Sequence, residues 1–363
     1  MTDQRSLLEG PSPAARRRRL HLTKSATANS RWRRYQEVAA RRGWARERGG
    51  TEQRLDQLLA QGQWLGRVAL LLRSGLWDLK VKTSLGAEPG PTLGVVSYAL
   101  AGPSPDAHPR ALFDQAWYLA GNPDLIIRGW CPLAHYLTRG DRENRAPHPL
   151  FDLADYRNRH AVKIAASGLT ALQHFVYTGA AEGYAPHPLF DVQFYVGQCE
   201  EVAVSGENPL VHYLRRGWRD GLDPHPLFDS RWYLAHSSEA VIAGVAPLLH
   251  YVLRGQAENT SPHPLFDPAW HAARYGGGGL IGLVTASASA EDPCAEFDCA
   301  HYLKQRPELA DDVHPLVDYL VAGAFAGLSP APGFDEEAYL ADHPSAAQTA
   351  AAGLLHWART RAR

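Results

Sequence analysis

Apolar residues in this chain come in short bursts at three- and four-residue spacing. In "NPLVHYLRRG", Leu210, Tyr213 and Leu214 fall at i, i+3 and i+4 and mark one face of a helix. Asn208 is placed to cap that helix and Pro209 suits its first residue; Gly217 is expected to end it in the left-handed conformation. In "LFDQAWYL", Asp114 is the expected N-cap, with Phe113 before it and Tyr118 after it spaced as a hydrophobic staple. Few segments alternate with period two, so the pattern predicts helices and argues against a sheet. Between Glu52 and Leu76, Leu55, Leu58, Leu59, Leu65, Val68, Leu72 and Leu76 keep a helical period and predict an amphipathic helix.

Both short signatures recur. Phe-Asp stands at 113–114, 151–152, 190–191, 228–229, 266–267, 297–298 and 334–335, with Trp77-Asp78 as a degenerate first member. The second signature follows as "PLAHYLTRG" (132–140), "ALQHFVYTG" (171–179), "PLVHYLRRG" (209–217) and "PLLHYVLRG" (247–255). A step near 38 residues is the range of two-helix units, none of which buries its apolar face without a neighbour. The expected fold is therefore all-α: an α-solenoid of about 38-residue two-helix repeats with a basic N-terminal extension. Asp114, Asp152, Asp191, Asp229 and Asp267 are read as structural caps. The boundaries follow: a basic, disordered arm over 1–50, an amphipathic helix over 51–76 capping the array, and the repeat array over 77–274. A Gly-rich break is expected over 275–293, where "YGGGGLIGLVTASASAEDP" replaces the Pro-Leu-x-His-Tyr helix. Terminal repeats and a C-terminal cap fill 294–363, closing on Leu354, Leu355 and Trp357.

Charge changes the picture at one end. The net charge of −1 conceals 16 Lys/Arg against 6 Asp/Glu in residues 1–73, and 21 against 32 in the remainder. A basic arm thus precedes an acidic body. Trp32, Tyr35 and Trp44 lie among its arginines, a mixture suited to an anionic membrane surface or nucleic acid, or to a solubilising tail. Four irregularly spaced cysteines make no disulfide framework, "LHLTKSATANS" is no signal-peptide core, and "WLGRVALLL" is too short to span a bilayer. The expectation is a cytoplasmic protein without a transmembrane segment, at most peripheral to the inner face of the membrane.

The candidate chemistry is mostly in phase with the repeat. His148, His187, His225 and His263 sit in the "HPLFD" connectors, and His135, His174, His212 and His250 sit in the second helix. Stacking could align such imidazoles into ladders that hold zinc or copper. No carboxylate or thiol accompanies them at ligand spacing, so the connector histidines are metal candidates by alignment alone, and packing is the favoured reading. The pairs Glu200-Glu201 and Asp311-Asp312 read as solvated faces. Gly276–Gly279 lacks the Lys-Ser/Thr of a phosphate loop, and no Ser or Cys sits in a nucleophile motif. No catalytic residue and no cofactor are expected. Trp117, Trp232 and Trp270 offer faces to a partner or a sugar ring, although burial beneath the stapled helix is the favoured reading.

The unit as a whole, Phe-Asp-x-x-x-Tyr-Leu, Asn-Pro-Asp, Pro-Leu-x-His-Tyr-Leu-x-x-Gly, Glu-Gly and Pro-x-Pro-Leu-Phe-Asp, resembles a tandem repeat of bacterial surface-polysaccharide synthesis proteins. There it often accompanies glycosyltransferases, and it is also similar to segments of some large secreted bacterial proteins. Residues 114–150 carry the likeness best, and it extends over about 75–363. Glu182-Gly183 keeps the Glu-Gly element, Gly221 follows Asp220, and "GDREN" and "GQAEN" have lost the second glycine. The repeats are expected to run through 294–363 without a catalytic domain among them, so the resemblance is read as transferring no catalytic residue. It implies a non-catalytic scaffold or adaptor for a protein partner, such as a glycosyltransferase, in surface-polysaccharide synthesis. A carbohydrate-binding protein or an accessory glycosyltransferase subunit is the alternative.

Overall fold

The structure, a computed structural model, describes residues 13–41, 68, 70, 71, 74, 76, 98, 112–128, 130–285, 291–348 and 351–361. Among them the chain is all-helical, without strands. It divides into two compact units. The first comprises Arg34–Gln193 and Glu201–Gly217, and the second Met1–Arg33, Phe194–Glu200 and Trp218–Arg363.

After the N-terminal helix α1 (Pro13–Arg41), one order of elements recurs. The Asp114 repeat holds α2 (Gln115–Ala120), α3 (Pro123–Arg128) and α4 (Pro132–His135), and α4 widens into a π-turn over Tyr136–Gly140. The next has α5 (Leu153–Ser167), α6 (Ala171–His174) and a π-turn over Phe175–Gly179. Then come α7 (Val192–Gln198), α8 (Glu200–Ser205) and α9 (Pro209–His212), with the π-turn Tyr213–Gly217. α10 (Ser230–His236), α11 (Ser238–Ala243) and α12 (Pro247–His250) lead into the π-turn Tyr251–Gly255. The remainder is α13 (Pro268–Tyr275), α14 (Gly279–Thr285), α15 (Cys299–Gln305), α16 (Pro315–Val321), α17 (Glu336–Asp342) and α18 (Gly353–Arg361).

The Asp114, Asp191 and Asp229 repeats thus have three short helices where periodicity predicts two, while the other described repeats keep two α-helices, the counterparts of the first and the third. The segment between the expected helices carries start signals of its own: Pro123 opens α3, and Ser237 Oγ accepts from the Ala240 N–H at the start of α11 (3.2 Å). In α5 the first two helices merge across a kink at His160. Asp114, Asp152, Asp229 and Asp267 each accept from a backbone N–H of the first turn they precede, at 2.8–3.0 Å. Asp191 occupies the same place before α7.

The core is built from aromatic triangles. Phe113 packs on Tyr118 (ring centroids 5.1 Å) and on Tyr136 (5.8 Å), and the two tyrosines meet edge-on at 6.0 Å. Phe228, Tyr233 and Tyr251 repeat this at 5.5, 5.6 and 5.8 Å, as do Phe297, Tyr302 and Tyr319 at 5.6, 5.5 and 6.0 Å. These are favoured tilted and edge-to-face contacts, and each large ring removes much apolar area from water.

Within each unit, successive repeats are joined by backbone hydrogen bonds. The cap residue's N–H donates to the proline carbonyl of the next connector: Asp114 to Pro147 and Asp152 to Pro186 in the first unit. Asp229 to Pro262, Asp267 to Pro293 and Asp298 to Pro330 do the same in the second. A tyrosine hydroxyl also accepts from the leucine N–H that opens the next third helix, as Tyr319 does from Leu354 (3.2 Å).

Three expectations are corrected. The basic arm is not structureless over Pro13–Arg41, because its arginines and alanines are good helix formers and one face packs. The Gly-rich break contains α14, whose Leu280 and Leu283 are buried. The Leu280 N–H donates to the Tyr251 hydroxyl (3.2 Å), so α14 stands where the Pro-Leu helix would be. The tetraglycine Gly276–Gly279, at positive φ throughout, makes the turn into it. Gly217 closes a π-turn without a left-handed φ, for a reason that its counterparts show below. Of the helix expected over 51–76, residues 68, 70, 71, 74 and 76 are described, with Val68, Leu71 and Leu76 buried. The rest of that helix, with Trp77-Asp78 and residues 286–290 of the break, lies outside the described residues.

Candidate functional site

The "HPLF" connector folds as a turn, with the Phe N–H donating to the His carbonyl: Phe151 to His148, Phe190 to His187, Phe228 to His225 and Phe266 to His263. The imidazole closes the same turn. Nδ1 of His148, His187, His225 and His263 accepts from the Leu N–H two residues on, at 2.9–3.1 Å. That contact requires the neutral ring with its proton on Nε2. Burial enforces the neutral form, lowering His148 to about 4 and His225 and His263 to about 3. Each of the four metal candidates therefore has its Nδ1 engaged in its own turn. Among the described residues no three His, Cys, Asp or Glu side chains are grouped to hold a metal ion.

The histidines of the third helix have another partner. His135 Nδ1 lies 2.9 Å from the Tyr118 hydroxyl, and His174, His250 and His356 pair in the same way with Tyr156, Tyr233 and Tyr339 (2.9, 2.7 and 2.8 Å). In the Asp298 repeat Asp318 replaces the histidine and accepts from Tyr302 (2.5 Å). The sequence carries a signal for this pairing. The Asp267 repeat lacks the helix histidine, and there the tyrosine is replaced too, by His271.

The recurring hydroxyl position also accounts for the terminal glycine of the motif. A Cβ on Gly140, Gly179 or Gly255 would stand 2.0 Å from the hydroxyl oxygen of Tyr118, Tyr156 or Tyr233. Close approach, not a left-handed backbone, excludes a side chain here. Left-handed residues come four positions later, at Gly183 and Gly221, and Asn144 and Asn259 take the same conformation in the repeats that lost this glycine (φ 58° and 53°). Asparagine is the side chain best suited to that exchange.

The remaining candidates scatter. Trp117 is 41% exposed, and Trp232 and Trp270 are half-buried, so none of the three belongs to the core; Tyr118 and Tyr233 fill it instead. Trp232 stacks on His236, and the Arg274 guanidinium lies over Trp270. Glu200 pairs with Arg31 and Glu201 with Arg216. Cys131, Cys199, Cys294 and Cys299 form no disulfide, and burial pushes Cys294 up to about 12 and Cys299 up as well, which disfavours a nucleophilic thiolate there. His271 is buried 3.1 Å from Glu291 without the alignment of a hydrogen bond.

Two polar clusters of the second unit have no signature in the sequence pattern. Asp229 accepts from Arg359 of α18 (2.5 Å) beside His263, and Asp223, pushed up to about 6 by burial and then by Asp229, accepts from the Ser230 N–H. Arg17 of α1 pairs with the buried Glu336 (2.9 Å). No described helix is long and apolar enough to cross a membrane. Compared with protein-family models, with curated proteins and with solved structures, the chain finds no match.

Proposed function

We propose that the chain is a non-catalytic α-solenoid scaffold that holds a protein partner, in the setting of bacterial surface-polysaccharide synthesis. The observation that carries the scaffold reading is the division of labour within the repeat. Its recurring polar groups are consumed inside the fold, as caps, turn-closing histidines and Tyr–His pairs. Meanwhile the middle helices present aliphatic side chains to solvent thirteen residues after the cap: Ile127 (88% exposed), Val204 and Ile242 (84% exposed). An exposed aliphatic side chain at this position of the repeat, in each unit by itself, suits contact with a partner. The inter-repeat hydrogen bonds support stacking as a solenoid. The polysaccharide setting, with a glycosyltransferase or export component as partner, rests on the repeat's resemblance.

The test is co-purification from native cells with wild-type chain and with Ile127→Asp/Ile242→Asp. A partner identified as a polysaccharide-building or export protein, retained by wild type and lost by the variant, supports the reading. Equal recovery by both, or no stable partner, removes it. The exposure of Trp117 keeps carbohydrate recognition as the second reading, since indole faces stack on sugar rings. Quenching of tryptophan fluorescence by a surface polysaccharide, abolished by Trp117→Ala, would favour it.

A further inference from the structure

Within the second unit, one face of α1 lies along the body. Arg17, His21, Ala28 and Arg31 are spaced at i, i+4, i+11 and i+14, which brings them to one side of a helix over roughly 21 Å. Arg17 is the anchor. Its guanidinium donates to Glu336 Oε2 (2.9 Å) and to the carbonyls of Ala351 (3.0 Å) and Ala324 (2.5 Å), and lies 5.0 Å from the Phe325 ring centre. Both members of this ion pair are about 2% exposed. Glu336 is held without Arg17, by the Tyr319 hydroxyl and the Gly353 N–H (3.1 Å). His21 stacks flat on Phe325 (3.7 Å). At the other end Arg31 donates to Glu200 (3.0 Å) and to the Gly197 carbonyl (3.1 Å), and a Cβ on Gly197 would stand 2.8 Å from the Ala28 methyl.

This seat has the chemistry of a binding site more than of a core. Between Arg17 and Arg31 these contacts are made by Arg, His, Ala and Arg, with an ion pair at each end, and further along α1 Tyr35 and Ala39 are buried. A buried pair adds little net stability, because desolvation offsets most of its attraction. The carboxylate, carbonyls and ring around Arg17 match a planar guanidinium and not a lysine. The charge balance of the chain favours the same partner, a basic segment on an acidic body.

We propose that this face is a helix-docking groove whose built-in occupant, Arg17–Arg31 of α1, exchanges with an arginine-bearing amphipathic helix of the partner protein. The proposal rests on the partner-binding reading above, and supplies the partner's chemistry. Its occupant carries an arginine, a small residue eleven positions on and a second arginine three further.

A labelled peptide of residues 13–33 is the probe, titrated into the full chain and into full-length Arg17→Glu/Arg31→Glu, with circular dichroism checking that the variant is folded. The expected result is binding to the variant at least tenfold tighter than to wild type, whose groove is occupied, and at least tenfold weaker for a peptide carrying Arg17→Lys. Indistinguishable binding to both chains overturns the proposal. Hydrogen exchange of the wild-type chain tests it without a variant. Amides of 17–31 should exchange faster in 0.5 M than in 0.05 M NaCl, while those of α17 do not change; α1 amides that exchange only together with α17 would make the helix integral. A wild-type dimer that Arg17→Glu/Arg31→Glu converts to monomer would assign the groove to a second copy and overturn the partner assignment. None of these readouts depends on recovering a native partner, so they fail separately from the scaffold reading.

Discussion

Asp114 and Gly255 show how single residues of the motif act. Asp114 accepts from the Trp117 N–H at 2.9 Å, and its own N–H donates to the Pro147 carbonyl at 2.9 Å. Asp114→Ala should lower unfolding stability by about 1 kcal/mol in denaturant titration while leaving partner capture intact. Gly255 acts through what it lacks. A methyl group there would collide with the Tyr233 hydroxyl, so Gly255→Ala should cost about 1–3 kcal/mol. Tyr233→Phe removes the colliding oxygen, and a double-mutant cycle on the two should show strong positive coupling. Additive effects would mean that the hydroxyl does not sit against Gly255. The cap was legible in sequence because capping is local, whereas the glycine's role was not, since its neighbour lies 22 residues away.

At the scale of the element, α14 separates two descriptions of the Gly-rich segment. A flexible connection tolerates loss of an exposed leucine with little effect. A substitute third helix does not, because Leu280 is fully buried and its N–H is held by Tyr251. Leu280→Ala is therefore expected to cost about 2–5 kcal/mol by thermal or denaturant unfolding. A change within about 0.5 kcal/mol would return the segment to the class of loops. Four glycines hide this helix from periodicity, and only contact with the preceding repeat identifies it.

For the whole molecule, the buried histidines couple folding to pH. An unfolded chain protonates its histidines near pH 6.5, but His148, His225 and His263 resist protonation in the fold down to about 4, 3 and 3. The unfolded state therefore binds protons first as pH falls. The contribution of each ring is fully present above about pH 6.5 and is withdrawn as pH falls towards the folded values, amounting to about 2 kcal/mol each at pH 5. His225→Asn keeps a side-chain acceptor suited to the turn and cannot titrate in this range. Its midpoint in urea should thus fall less than that of wild type between pH 7 and pH 5. An identical pH dependence would show that His225 is not buried as a neutral ring.

What the sequence determined by itself was whatever is local and repeated. The period, the helical class, the caps and the Phe–Tyr staples follow from spacings of a few residues, and duplication multiplies a weak signal until it is unmistakable. Tertiary structure decided which partner each in-phase group faces. One histidine closes its own turn while the other meets a tyrosine hydroxyl 17 or 18 residues earlier, although both recur with the same period. Tertiary structure also decided that an arginine-rich segment with no place in the repeat lies as a helix against Glu200 and Glu336. Periodicity records that a residue is required at its position. Only contacts between segments distant in the chain record what it is required for.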